Sequence, residues 1–167
     1  MTSLKILLVD DSAVVRLVIA KQLEMIGFTI DTAEDGEIAV KAVKEKEYDL
    51  IFMDVMMPNL DGLQATREIR MMELETARQP VPIVGVTGYT NRSECIDAGM
   101  NDFLFKPVTT EQLKGAIKNW YPDTVLPAAK PLSALLAEKE ENVLAPAELA
   151  AQRLADLKRR LGFKAAS

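Results

Sequence analysis

The sequence contains no histidine and a single cysteine, Cys95. Without histidine, Ser–His and Cys–His nucleophilic catalysis is excluded, and one thiol with no imidazole makes a poor zinc site. A lone cysteine cannot close an internal disulfide, which matches a reducing compartment. Cys95 reads as a small filler on a helix face. No stretch of about 18 residues is apolar throughout, and residues 1–5 lack the charged and apolar regions of a signal peptide, so a cytoplasmic protein without membrane association is expected. A basic surplus is also lacking. The 25 acidic and 20 basic side chains leave a net charge of -5, which argues against direct DNA or RNA binding.

What is present centres on residues 48–62, Y-D-L-I-F-M-D-V-M-M-P-N-L-D-G. Leu50, Ile51, Phe52 and Met53 run without a polar break into Asp54, and a turn with Pro58, Asn59, Asp61 and Gly62 follows. This pattern predicts a strand buried on both faces, as in parallel sheets covered by helices. Asp54 then lies at the carboxyl end of the strand, where open α/β sheets place their ligands.

Similar apolar runs predict strands at residues 4–9, 28–32, 81–87 and 102–105, alternating with helices. Ser12 caps the first helix, whose apolar face is read as Val14, Val15, Leu17, Val18 and Leu23, with Gly27 as its stop. Asp35 and Gly36 open the second, with Ile38, Ala39, Ala42 and Val43 on one face. Asp61 with Gln64, Asn91 with Glu94, and Thr109 with Gln112 have capping-box spacing for the other three. The fold class is α/β: a doubly wound five-stranded parallel sheet in the order 2-1-3-4-5, flanked by five helices, with a helical C-terminal tail. Residues 1–121 form the main domain. Residues 122–145 read as a Pro/Ala-rich linker with a short helical stretch, 146–162 as an amphipathic helix striped by Ala147, Ala150, Leu154, Leu157 and Leu161, and 163–167 as a tail. That helix is either marginal or docks on a partner, a second copy or its own domain. Met53, Met56, Met57, Met71, Met72 and Met100 read as gap-fillers.

Asp10 and Asp11 end the first strand beside Asp54. Two unit charges about 4 Å apart repel by roughly 4 kcal/mol at an effective dielectric of 20, so three carboxylates in one pocket call for a cation. Oxygen ligands in a site open to water suit Mg²⁺. Lys106, after the fifth strand, brings a fixed positive charge to the same rim, and Thr87 brings a hydroxyl. Together these are the parts of a phosphoryl-transfer site.

V-D-D-S, M-D-V-M-M-P-N-L-D-G, V-T-G and F-L-F-K-P, in this order and spacing, resemble the receiver domain of two-component response regulators over about residues 4–120. The resemblance implies that Asp54 accepts a phosphoryl group from a phosphohistidine on a histidine kinase or histidine phosphotransfer protein. With no histidine in this chain, the donor must be another molecule. It also implies that Asp11, Asp54 and the backbone carbonyl of Met56 bind Mg²⁺ directly, that Asp10 acts mostly through a metal-bound water, and that Thr87 and Lys106 hold the phosphoryl oxygens. The Lys106–Pro107 bond is cis in relatives. On phosphorylation Thr87 moves and Phe103, a core aromatic at a position often tyrosine, turns into the vacated space. The surface of the fourth helix, fifth strand and fifth helix then changes its preference for a downstream effector protein. Met56 and Tyr89 flank the approach to the acyl phosphate, and their uncharged bulk predicts a long-lived phospho-Asp54. The expected protein is therefore a single-receiver signalling switch that catalyses only its own phosphorylation and dephosphorylation. Two alternatives stand beside it. One is a small Mg²⁺-dependent aspartyl phosphatase of the haloacid dehalogenase type, although the second acid such enzymes carry two residues on is here Met56. The other is an interaction-only receiver, although the missing Asp, Thr or Lys that would mark it is not found.

Overall fold

A computed structural model describes residues 4–88 and 91–126. The expectations for residues 127–167, including the 146–162 helix and self-association through it, and for Tyr89 lie outside the described residues. Five strands, β1 (Ile6–Val9), β2 (Ile30–Ala33), β3 (Leu50–Asp54), β4 (Ile83–Thr87) and β5 (Asp102–Phe105), alternate with α1 (Ala13–Ile26), α2 (Gly36–Glu45), α3 (Gly62–Glu75), α4 (Arg92–Ala98) and α5 (Thr110–Trp120). All pairings are parallel, in the order β2-β1-β3-β4-β5.

Alternate residues of each apolar run face opposite layers, so both faces of the sheet are buried. Leu7, Val9, Ile51 and Met53 pack with Ala39, Val43, Ala65, Ile69 and Cys95 from α2, α3 and α4. Ile6, Leu8, Leu50 and Phe52 pack with Ile19, Leu23, Leu113 and Ile117 from α1 and α5. Each layer has its own core, with the sheet between them.

The face expected for α1 is largely on the outside. Val14, Leu17 and Val18 are 71%, 58% and 51% exposed, while Ile19, Ala20, Leu23 and Ile26 are buried. α1 carries apolar residues on two faces, and only the stripe at spacings of three and four from Ile19 to Ile26 meets the sheet. In α2 the buried set is Ala39, Val40 and Val43, and Ile38 is exposed. β2 starts two residues later than its apolar run. Gly27 takes a left-handed conformation as the α1 C-cap, and the Phe28 amide donates to the Leu23 carbonyl, which removes it from the ladder. Met53, Met57, Met72 and Met100 fill the core as expected, but Met56 and Met71 are 69% and 62% exposed.

Candidate functional site

Strand register assembles the site. Val9 pairs with Met53, and Asp54 with Val86, so Asp10, one residue past β1, comes level with Asp54. Thr87 pairs with Phe105, and Lys106 follows at once. The Lys106 amide donates to the Thr87 carbonyl at 2.8 Å, and the Lys106–Pro107 peptide is cis.

Asp54 is 2% exposed, and its Oδ1 accepts from the Met56 amide at 3.2 Å. Directly beneath it starts α3, capped by Asp61, whose Oδ1 accepts from the Gln64 amide. A Cβ on Gly62 would lie 1.9 Å from the Asp54 carbonyl oxygen, so only glycine allows this approach. Asp10 is fixed at every polar atom. Its amide donates to Ala33, its Oδ1 accepts from the Ser12 amide at 2.9 Å, its carbonyl accepts from Arg16 Nη1 at 2.5 Å, and its Oδ2 lies 2.7 Å from Lys106 Nζ. Asp10 is thus buried rather than solvated. Asp11 is exposed.

Carboxylate oxygens of Asp10, Asp11 and Asp54 lie within 4.8 Å of one another. Lys106 Nζ also reaches Asp54 Oδ2 at 3.1 Å. Burial pushes the Asp54 carboxyl up to about 6 against the pull of the Lys106 charge. Burial works against the charged form of Lys106 as well, but Asp10 and Asp54 outweigh it and raise its pKa. One ammonium therefore pairs with two carboxylates of a cluster of three. Asp10 Oδ2 is held by the ion pair with Lys106 and has no other partner among the described residues. A hard divalent cation fits both the excess negative charge and the all-oxygen donor set.

Thr87 is fully buried at the end of β4. Phe103 is not the core aromatic expected. It is half-buried on the edge strand β5, edge-on to Phe105 with ring centroids 5.2 Å apart, and the Arg92 guanidinium sits 5.5 Å from its centroid. Among the described residues, no further strand lies beyond β5.

Arg16, which the motifs did not single out, holds the acidic turn from α1 and lies 3.9 Å from Glu34. A signal for it existed. A cation in the first half of a helix opposes the helix dipole, so it needs a local acceptor to offset that.

The family model described as response regulator receiver domain matches residues 6–118. The chain belongs to the response regulator receiver domain family. Two similar relatives are the sensor protein GacS of Pseudomonas syringae pv. syringae, 37% identical over 119 residues, and hybrid signal transduction histidine kinase B of Dictyostelium discoideum, 40% identical over 120 residues. The alignments cover 70% and 65% of this chain but only 13% and 6% of those proteins, so the receiver corresponds to one part of much longer chains. Among solved structures, the receiver domain of sensor histidine kinase PA1611 from Pseudomonas aeruginosa PAO1, with a magnesium ion coordinated in its active site cleft, is 36% identical with a TM-score of 0.64. That match covers 72% of this chain and 99% of that one. The receiver domain of Ssk1 from Saccharomyces cerevisiae, crystallised with the histidine phosphotransfer protein Ypd1, gives 29% identity and a TM-score of 0.67, covering 71% of this chain and 88% of that one. Among the described residues of this receiver, no helix is long and apolar enough to cross a membrane.

Proposed function

We propose that this receiver is the phosphorylation switch of a two-component or phosphorelay system, with Asp54 as phosphoacceptor. The observation that carries it is the buried Asp54 carboxylate 3.1 Å from Lys106, with oxygens of Asp10 and Asp11 within 4.8 Å. An Asp54 oxygen attacks the phosphorus of a partner's phosphohistidine. The P–N bond breaks, its electron pair stays on the imidazole nitrogen, and the acyl phosphate forms on Asp54. With a pKa raised by burial to about 6, Asp54 is ionised at neutral pH, and the same burial limits the hydration that would blunt its carboxylate as a nucleophile.

Asp11, Asp54 and the Met56 carbonyl would hold Mg²⁺ directly, and Asp10 through a water. Bound there, the ion offsets negative charge between carboxylate and phosphoryl oxygens. Lys106 and the Thr87 hydroxyl bind the other phosphoryl oxygens. As Thr87 is drawn toward them, Phe103 leaves its place under Arg92 and turns inward, and the surface of α4, β5 and α5 changes for an effector protein. The exposed Val14, Leu17 and Val18 next to the Asp10–Ser12 turn suit a histidine kinase or phosphotransfer protein as donor. The receiver then acts as a switch with no separate substrate, in the cytoplasm where such donors work.

The test is intact-protein mass after incubation with Mg²⁺ and acetyl phosphate. One phosphate adduct is expected, absent in Asp54→Ala and decaying over minutes or longer. Absence of any adduct on wild type overturns the reading, as does steady phosphate release from many esters, which would indicate an enzyme.

A further inference from the structure

Two side-chain hydrogen bonds join α1 to opposite sides of the site. Arg16 holds the Asp10 carbonyl, and Gln22 Nε2 donates to the Val108 carbonyl at 3.1 Å. Val108 lies two residues beyond Lys106, buried in the core layer with Leu23 and Leu113. The short segment from Lys106 to Thr109 is held upstream by the Lys106 amide on Thr87, and downstream by the Thr109–Gln112 capping box. Among the described residues, Gln22 supplies the side-chain bond between those two anchors.

Gln22 is an odd choice for a packing role. Its Oε1 is buried and makes no hydrogen bond, a penalty that leucine or methionine at the same place would not carry. Turning the amide over would set its oxygen against the Val108 oxygen, so the carbonyl dictates the orientation. The amide is therefore kept for its donor.

We propose that Gln22 is a positioning residue for Lys106: by fixing the Val108 carbonyl from α1, it sets where the Lys106 ammonium stands between Asp10 and Asp54. The donor-docking helix and the phosphoryl site are thereby one mechanical unit. The kinetic part rests on Asp54 being the phosphoacceptor, and the structural part does not.

The experiment is a double-mutant cycle in the full chain with Gln22→Met and Lys106→Met, read in two ways. The first is the rate of phosphate uptake from acetyl phosphate at saturating Mg²⁺, and the second is the urea midpoint of the metal-free protein. Gln22→Met should slow uptake about fivefold in the wild-type background but less than about twofold once Lys106 is gone. Its midpoint shift should likewise shrink in the Lys106→Met background. Gln22→Glu, which keeps the shape but replaces the donor, should exceed Gln22→Met in both readouts. Equal fold-changes and additive midpoints in the two backgrounds overturn the proposal, because a merely structural Gln22 behaves that way. If wild type takes up no phosphate, the phosphoacceptor reading fails on its own and the midpoints still decide: non-additive shifts support the linkage, and additive shifts end it.

Discussion

Lys106 Nζ stands between Asp10 and Asp54, 2.7 Å from one carboxylate and 3.1 Å from the other. It is the counter-ion for two buried acids, and it occupies charge that a divalent cation would otherwise balance.

Removing it has opposite effects on folding and on metal binding. Lys106→Ala leaves two buried carboxylates uncompensated, and should destabilise the metal-free protein by roughly 1–3 kcal/mol, below the range for a fully buried pair because Lys106 reaches solvent. Mg²⁺ should bind the variant more tightly than wild type and restore much of the loss, while phosphate uptake slows. Urea unfolding with and without Mg²⁺ measures both effects. A variant as stable as wild type in EDTA would contradict the counter-ion role.

Asp54 gives a pH signature. Its folded pKa of about 6 lies above the ordinary 3.8, so between those values the folded protein holds a proton that the unfolded chain has released. Stability of the metal-free protein should therefore fall as pH rises from about 4 to 6 and stay at the lower level above that. Asp54→Asn should flatten this slope and be the more stable protein at pH 7, by on the order of 1–2 kcal/mol once solvent access to the rim is discounted. Stabilisation by Mg²⁺ should fade below pH 6, where protons compete for the same oxygens. Unfolding curves in EDTA from pH 4 to 7.5 would show whether the two proteins differ in slope.

Two glycine-to-alanine changes should move in opposite directions. Gly62→Ala drives a Cβ into the Asp54 carbonyl, at 1.9 Å, and must displace either α3 or the phosphoacceptor strand end. A loss of more than about 3 kcal/mol, or failure to fold, is expected. Gly115, inside α5, has nothing within 4 Å of an added Cβ. Gly115→Ala should gain about 0.5–1 kcal/mol of stability from helix propensity alone. Thermal denaturation of the pair suffices as a check.

The exposed Met56 thioether beside Asp54 should shield the acyl phosphate from water. Met56→Asn is expected to shorten the phospho-Asp54 lifetime several-fold with little change in stability, since the side chain is 69% exposed. Adduct decay followed by mass after removal of the donor reports it, and an unchanged lifetime would remove shielding as the role of Met56.

The sheet and its acidic rim were legible in the sequence because their signals are local. Apolar runs such as Leu50 to Met53 sit between turn residues, and the order of strands then brings Asp10, Asp54, Thr87 and Lys106 to one end. Side-chain direction was less legible. Val14, Leu17 and Val18 are as apolar as Ile19 and Leu23, and nothing in a list of apolar residues says which of two helix faces meets the sheet. Phe103 was misplaced for a related reason: the expected order 2-1-3-4-5 already put β5 at the edge, but an aromatic residue type does not say that its ring lies beside Phe105 and under Arg92 rather than in the core. Gln22 acts on a backbone carbonyl, which leaves no pattern of residue types to find, and the one mark of Arg16 was its place in the first half of α1.

An apolar stripe on the outside of α1 also bears on how the protein behaves in a tube. Three branched side chains facing water favour contact between copies, and the net charge of -5 opposes it. Salt screens the repulsion while leaving the apolar attraction in place. Concentrated stocks at high ionic strength are thus the ones that should cloud first, and a buffer of low salt well above the isoelectric point is the natural choice for keeping the molecule monodisperse.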